Sequence, residues 1–260
     1  MQLTVTTWNI NSVRLRIDLV LRFLAEHKPD VLCLQETKCP DDAFPLKALR
    51  GSGYEHVMFA GQKGYNGVAI LSKFPLADVR RDLPGDDEDE HARYIEAETN
   101  GIRVASLYLP NGNPVDSPKY PYKLAFMERL RLHARALLDD EIAVVLAGDY
   151  NVIPEAADAA DPEAWRSDAL FLGTTRAAFR AILAEGYTDA LRACDPRDGL
   201  YTFWDYQAGC WQRNAGIRID HLLLSPQAGD RLVSASVQKH LRGLDKPSDH
   251  VPVTAELAAG

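Results

Sequence analysis

The chain has 260 residues, which allows one large domain or two small ones, and its 46% hydrophobic and 25% charged content is that of a soluble globular protein with a real core. A net charge of −8 argues against a protein that coats DNA non-specifically, although the run Asp86–Glu90 (DDEDE) carries five of those negatives and leaves only −3, so a basic face remains compatible with nucleic acid. Cys33, Cys39, Cys194 and Cys210 form no CxxC pair, no signal peptide is read, and no apolar run approaches the ~20 residues of a membrane span; together these predict a soluble cytoplasmic protein without structural zinc or a disulfide framework.

Leu3, Val5 and Thr7 alternate with polar neighbours and predict a strand ending at Asn9. Ser12 is placed to cap a helix whose apolar face is Val13, Ile17, Val20, Leu21 and Leu24, with Pro29 stopping it. Val31–Leu34 predicts a second strand, ending at Gln35-Glu36. Short strands follow at Glu55–Phe59, Val68–Leu71, Ala77–Arg81, Tyr94–Glu98 and Ile102–Leu109, with Asn66-Gly67 and Asn100-Gly101 as hairpin signals and 86–90 as a solvated loop. Pro110–Tyr122 reads as a surface loop, and Leu124, Met127, Leu130, Ala134 and Leu137 as the face of a helix. VVLAGDYN (144–151) is a buried strand running into Asp149 and Asn151, or an apolar run ending in an ordinary turn. Beyond it, helices are expected around 163–172 and 175–185, and strands at Thr202–Tyr206, Ile217–Leu224, Val233–Lys239 and Val251–Leu257. No linker or composition break divides the chain, so residues 1–260 are expected to form one domain with two packed sheets and flanking helices.

Polar groups recur where these strands end. Asn9, Glu36, Tyr108 with Asn111, and Asp149 with Asn151 each follow a strand, whereas Asp249-His250 precede one; an antiparallel last strand would bring that pair to the same edge. Asp220 interrupts an otherwise apolar strand, a costly burial unless a partner such as a histidine faces it. Such carboxylates and carboxamides favour Mg²⁺, with Mn²⁺ as a substitute, and activated water attacking a phosphoryl centre. No GxSxG elbow and no P-loop is present. Spacing alone therefore points to a metal-dependent phosphoesterase.

The words TWNIN (7–11), LQETK (34–38), GYNGVAILS (64–72), LYLPNG (107–112), GDYNV (148–152), YTFWDY (201–206), GIRIDHLLLS (216–225) and SDHVPV (248–253) stand in register along nearly the whole chain. In this order they resemble the exodeoxyribonuclease III family of abasic-site endonucleases, within the endonuclease/exonuclease/phosphatase superfamily. The resemblance implies a four-layered α/β sandwich, two mixed and mainly antiparallel sheets packed face to face with helices outside. It implies Glu36 as principal metal ligand, with Asn9, Asn151 and Asp249 near the metal and Asn11 behind. Asp149 would activate water or ligate metal, and Asn151 would orient water and phosphate. Tyr108 and Asn111 would contact the phosphate, Asp220 would hold His250, and His250 would stabilise developing charge; Asp249 would serve either the metal or a proton.

Phe203, Ile217 and Ile219 match the family's apolar pocket for a flipped-out abasic sugar, with Ile217 standing where some relatives have an aromatic. Lys38, Lys119, Lys123, Arg213 and Arg218 are candidate contacts to the DNA backbone, and Tyr65 either touches the strand or is a half-buried hairpin tyrosine. Trp204 reads as packing. The expected substrate is double-stranded DNA with abasic sites or blocked 3′ ends, handled by a monomer with no obligate protein partner. Two rival readings are a phosphatase or phosphodiesterase for a small or lipid phosphate, which calls for a basic rather than an apolar pocket, and a non-catalytic nucleic-acid-binding relative, which calls for loss of the acidic residues present here.

Overall fold

The computed structural model describes residues 2–259. Twelve strands form two six-stranded sheets. The first has the order β11 (Leu232–Val237), β12 (Val253–Ala258), β1 (Gln2–Asn9), β2 (Val31–Gln35), β4 (Val68–Ser72), β3 (His56–Ala60). The second has the order β5 (Ala77–Arg80), β6 (Tyr94–Thr99), β7 (Ile102–Tyr108), β8 (Val144–Asp149), β10 (Asp220–Leu224), β9 (Thr188–Asp189). Each sheet has one parallel pair at its centre, β1 with β2 and β7 with β8, and every other pairing is antiparallel.

The period-two pattern of the strands explains the layering. Val5, Val31, Cys33, Val68 and Ile70 of one sheet meet Val104, Val145, Ala147, Leu222 and Leu224 of the other in a shared core. The opposite face of the first sheet carries Trp8, Leu32, Leu34 and Leu71 under α1 (Ile17–His27), with α2 (Leu46–Arg50) beside it. The opposite face of the second carries Leu107, Val144, Leu146 and Leu223 under α3 (Lys119–Leu138) and α4 (Gly173–Ala184). This is the four-layered sandwich that the sequence words imply. One polar chain crosses the apolar core: Thr7 Oγ1 donates to Gln35 Oε1 at 3.1 Å, and Gln35 Nε2 donates to Ser106 Oγ at 3.0 Å. It locks the two sheets in register one layer below their shared edge. No helix among the described residues is long and apolar enough to cross a membrane.

Several local expectations are corrected. Ser12 does not cap α1. Its φ is +85° and its N–H donates to Glu36 O, so residues 10–13 continue alongside the end of β2 and the helix starts only at Ile17. The 110–122 stretch is not all loop, because α3 begins at Lys119. Pro121 fits in its first turn, where an N–H has no helical partner to lose. Asn100-Gly101 does join two paired strands, but Asn66-Gly67 ends a longer connection between β3 and β4. Thr202–Tyr206 forms only isolated bridges, Phe203 pairing with Ile217 on one side and His250 on the other, and β10 starts at Asp220 rather than Ile217. Only a short 3₁₀ turn, Pro162–Trp165, stands within the expected 163–172 helix. The acidic run is solvated as expected at Asp86, Asp87, Glu88 and Glu90, but Asp89 is pinned: it accepts from Tyr122 Oη (3.0 Å) and Arg129 Nη1 (2.8 Å), tying the loop to α3.

Gly148 sits next to last in the central strand, where a Cβ would lie 2.1 Å from the carbonyl oxygen of Leu107 on the adjacent strand. A main-chain atom in a sheet cannot swing aside. Gly148→Ala is therefore expected to destabilise the fold by about 1–3 kcal/mol, seen as a lower urea midpoint at unchanged slope. An unchanged midpoint would show that β7 and β8 are not packed this closely.

Candidate active site

Strand directions bring the polar groups together. Because β1 and β2 are parallel, and β7 and β8 are parallel, Asn9, Glu36, Tyr108 and Asp149 emerge at one edge of the two sheets. β10 runs antiparallel to β8 with Asp220 opposite Asp149, and β12 runs antiparallel to β1, so Asp220 and His250 lie where the other strands finish. The backbone at this edge is unusual. Asn11, Ser12, Glu36, Lys38 and Asn151 all have positive φ, which costs a non-glycine residue about 1 kcal/mol or more. Hydrogen bonds hold it there: Thr37 N donates to Gly67 O and Lys38 N to Asn66 O. Gly67 is required, since a Cβ would lie 2.1 Å from Thr37 Oγ1. The Asn66-Gly67 pair thus buttresses the segment that carries Glu36.

Glu36, Asp149 and His250 each bring one ligand atom within 4.8 Å of the others. Asn9 Nδ2 donates both to Glu36 Oε1 (2.8 Å) and to Asp149 Oδ2 (2.9 Å), while its Oδ1 accepts from Asn11 N at 3.0 Å. Asn9 therefore meets the carboxylates with a donor, and its oxygen holds the main chain at Asn11. In this arrangement it bridges the two acids through one nitrogen. Lys38 Nζ lies 2.7 Å from both Glu36 Oε2 and Asn11 Oδ1, so its charge is spent within the site. Asn11 Nδ2 in turn donates to Asp249 Oδ1 (3.0 Å), and Asp249 is not in the metal-binding group found among the described residues.

His250 Nδ1 lies 2.9 Å from Asp220 Oδ2 and its Nε2 lies 3.8 Å from Asp149 Oδ2. Thr202 Oγ1 donates to the same Asp220 oxygen at 2.6 Å. Burial alone would push the imidazole pKa down, but the charges of Asp220 and Asp149 outweigh it and raise it to about 10. Without a bound metal, that pKa leaves the imidazole protonated at neutral pH, a cation beside the acids. Burial, reinforced by Asp220 and opposed by His250, raises Asp149 to about 7. Glu36 moves the other way: its burial is outweighed by Lys38 and the Asn9 amide, which hold it below the usual carboxylate range. Burial first, then the Glu36 and Asp149 charges, lift the Tyr108 phenol well above its ordinary value, so it remains a donor.

The remaining expected residues divide. Asn151 N donates to Asp149 Oδ1 (2.9 Å), and its Oδ1 accepts from Asn111 Nδ2 (3.2 Å), so Asn111, Asn151 and Asp149 are linked. Ile217 and Ile219 are only 1% and 2% exposed, packed with Ile153 and Leu170. They back the apolar patch, and of the three only Phe203, half-buried with its ring centre 4.9 Å from that of the His250 ring, offers surface. Arg218 is not a DNA contact: it is 2% exposed, its guanidinium taken by Asp158 (2.7 Å) and Asp189 (2.5 Å). Lys123 is not one either. It is fully buried and donates to the carbonyl oxygens of Asn151 (2.6 Å) and Asn111 (3.0 Å), and burial lowers its pKa to about 7. Lys119 and Arg213 are exposed, and Trp204 is buried against Tyr201 and Trp211. Thr202 and Arg93 escaped sequence reasoning. Arg93 lies with its guanidinium 4.9 Å from the Tyr108 ring centre, and only the strand alternation of Tyr94 and Glu96 hinted at its position.

Residues 6–250 match the Endonuclease/Exonuclease/phosphatase family. The chain belongs to this family. Within it, the chain is 32% identical over 263 residues to exodeoxyribonuclease III of Haemophilus influenzae, covering 96% of this chain and 98% of that one. Its structure is similar to that of the 3′ phosphatase NExo from Neisseria, solved with a product DNA hairpin (TM-score 0.96, 40% identity, covering 98% of this chain and 99% of that one). It is also similar to an AP endonuclease from Archaeoglobus fulgidus (TM-score 0.93, 40% identity, covering 97% and 98%). These two solved structures thus share the two-sheet frame that carries Glu36, Asp149 and His250 here.

The raised His250 pKa depends on Asp220. In Asp220→Asn protein without metal, the His250 imidazole is expected to titrate well below about 10, toward the ordinary 6.5, when followed by NMR. The linkage sign is that of a raised base: in the wild type this pair stabilises the fold below pH 6.5 and the contribution disappears as the pH climbs through about 10. An unmoved titration in the variant would mean that Asp220 does not set the charge on His250.

Proposed function

We propose that this DNA repair nuclease hydrolyses phosphodiesters 5′ to abasic sites in duplex DNA and clears nucleotides or blocking groups from 3′ ends. The observation that carries the reading is the meeting of Glu36, Asp149 and protonated His250 within 4.8 Å at the edge of two sheets. Two adjacent acids can keep such proximity only with cations close by, and here Lys38 and His250 supply part of that charge. The ligand atoms these acids offer are carboxylate oxygens with lone pairs to spare, a set suited to Mg²⁺, with Mn²⁺ substituting. Glu36 and Asp149 would hold the ion, which when bound supplies Lewis-acid neutralisation of the phosphate oxygens.

The chain's own groups account for the rest. Asp149, beside the ion it would share with Glu36, stands where it can accept the proton of the attacking water. His250, kept charged by Asp220, faces that position and stabilises negative charge on the phosphoryl oxygens. The Tyr108 hydroxyl and the Asn111 and Asn151 amides orient the phosphate, and Lys123 fixes those two amides from below. A sugar without its base would rest on Phe203, backed by Ile217 and Ile219, where an intact base meets the filled core. We place the enzyme in the cytoplasm as a monomer; that it folds as one domain is supported by the core that both sheets share.

The test is a duplex oligonucleotide with one abasic analogue, and a second with a 3′ phosphate, each incubated with Mg²⁺ or EDTA. Cleavage is expected with Mg²⁺, none in EDTA, and a loss of at least about 10²-fold in Glu36→Ala and in Asp149→Asn. Turnover that persists in EDTA, or equal turnover by the variants, would overturn the assignment.

A further inference from the structure

The segment that delivers His250 has no regular structure of its own. It leaves a short 3₁₀ turn at Lys239–Gly243 and enters β12 only at Val253. Apart from one isolated bridge, Phe203 with His250, strand pairing does not place it. A single side chain grips it instead. Arg16 Nε donates to Lys246 O (3.2 Å) and Arg16 Nη2 to Tyr206 Oη (2.8 Å), whose own proton goes to Pro247 O (2.9 Å). The third nitrogen, Nη1, donates to Asn11 O and lies 3.5 Å from Ile10 O. One guanidinium thus joins the chain leaving β1 to the chain approaching His250.

Local forces do not explain an arginine at this position. Residue 16 is the N-cap of α1, where the free N–H groups and the helix dipole disfavour a cation, and its side chain makes no capping hydrogen bond. The side chain is only 7% exposed, and each of its hydrogen bonds goes to a neutral oxygen rather than to a carboxylate. A charge taken this far out of water is costly unless its donors are used, and a planar fork can use them on several chains at once. The backbone it grips is strained: φ is +47° at Asn11 and +45° at Lys246, left-handed conformations that persist only where the surroundings enforce them. Two further contacts carry this register into the site. Asn11 Nδ2 donates to Asp249 Oδ1 (3.0 Å), and Ser248 Oγ donates to Asn9 O (2.7 Å).

Resting on the nuclease reading, we propose that Arg16 is a positioning residue for the hydrolysis: it clasps the 246–250 segment to the 9–11 segment and so sets where His250 stands against the scissile phosphate. Its loss slows the chemical step while leaving DNA binding nearly intact.

Single-turnover cleavage of the abasic-analogue duplex in Mg²⁺, with enzyme saturating, reads the chemical step, and affinity for the same duplex is measured in EDTA. Arg16→Met is expected to cut the cleavage rate constant about 10- to 100-fold, the cost of a misplaced group, with affinity changed by less than about threefold. Arg16→Lys keeps the charge and part of the donor set, and should recover at least about threefold of that loss. In a His250→Asn background, Arg16→Met should cost less than about threefold more, because a residue that acts through His250 has nothing left to act on. Equal losses in both backgrounds, or a loss that follows affinity alone, would overturn the proposal. A second reading needs no turnover: amide hydrogen exchange at 244–250 should speed up at least about tenfold in Arg16→Met, with the strand amides unchanged. Unchanged exchange there would overturn the clasp. A wild type that does not cleave in Mg²⁺, with a variant that shows this exchange pattern, would instead bring down the nuclease reading and leave the clasp standing.

Discussion

One amide nitrogen bridges the two halves of the molecule at the point of chemistry. Asn9 Nδ2, at the end of a strand in the first sheet, reaches Glu36 of its own sheet and Asp149 of the other. Both acids repel, and both are taken partly out of water, so their approach needs donors and cations arranged in advance. The amide supplies the first, and Lys38 and His250 supply the second. The Thr7–Gln35–Ser106 chain beneath keeps the sheets from sliding and so keeps that bridge short. What remains is an excess of negative oxygen at the edge, a setting in which a divalent cation is welcome.

The two sheets repeat one design. Each has a central parallel pair whose ends deliver polar groups, and each adds an antiparallel neighbour that returns a further group to the same edge. Asp220 therefore faces Asp149 across a strand pair, and His250 arrives from just before β12 to sit between the two acids. The constellation comes from six places in the chain but needs only strand direction to assemble. This frame also explains the left-handed turns at Glu36 and Asn151: a chain leaving a strand must bend at once to keep its side chain in the cleft.

Strand positions were legible in the sequence because alternation and apolar runs fix which residues face a core, and the polar residues that end those runs stood out; strand directions were not, and the shared edge stood only as a condition on them. Asp220 is the clearest case, since an acid within LLL-bearing sequence demands a partner and finds it in His250. Lone basic residues were not legible. Lys123 and Arg218 look like any solvated cation in the chain, yet a carbonyl pair and two aspartates respectively draw them inside, and nothing local announces those partners 12 to 60 residues away. Helix starts failed for a related reason: the Ser12 capping signal was overridden by main-chain bonding to Glu36, a long-range contact. Ile217 and Ile219 were correctly grouped with Phe203, but sequence does not say which of three neighbours keeps an exposed face.

The central physical claim is that Glu36 and Asp149 together grip a divalent ion beside protonated His250. Crystals soaked in Mn²⁺ test it directly through the anomalous difference map. The strongest peak is expected between the Glu36 and Asp149 carboxylates, at oxygen-ligand distances of roughly 2.2 Å, and it should vanish in Glu36→Gln crystals. A dominant peak elsewhere, or one that is unaltered in the variant, would contradict the shared site.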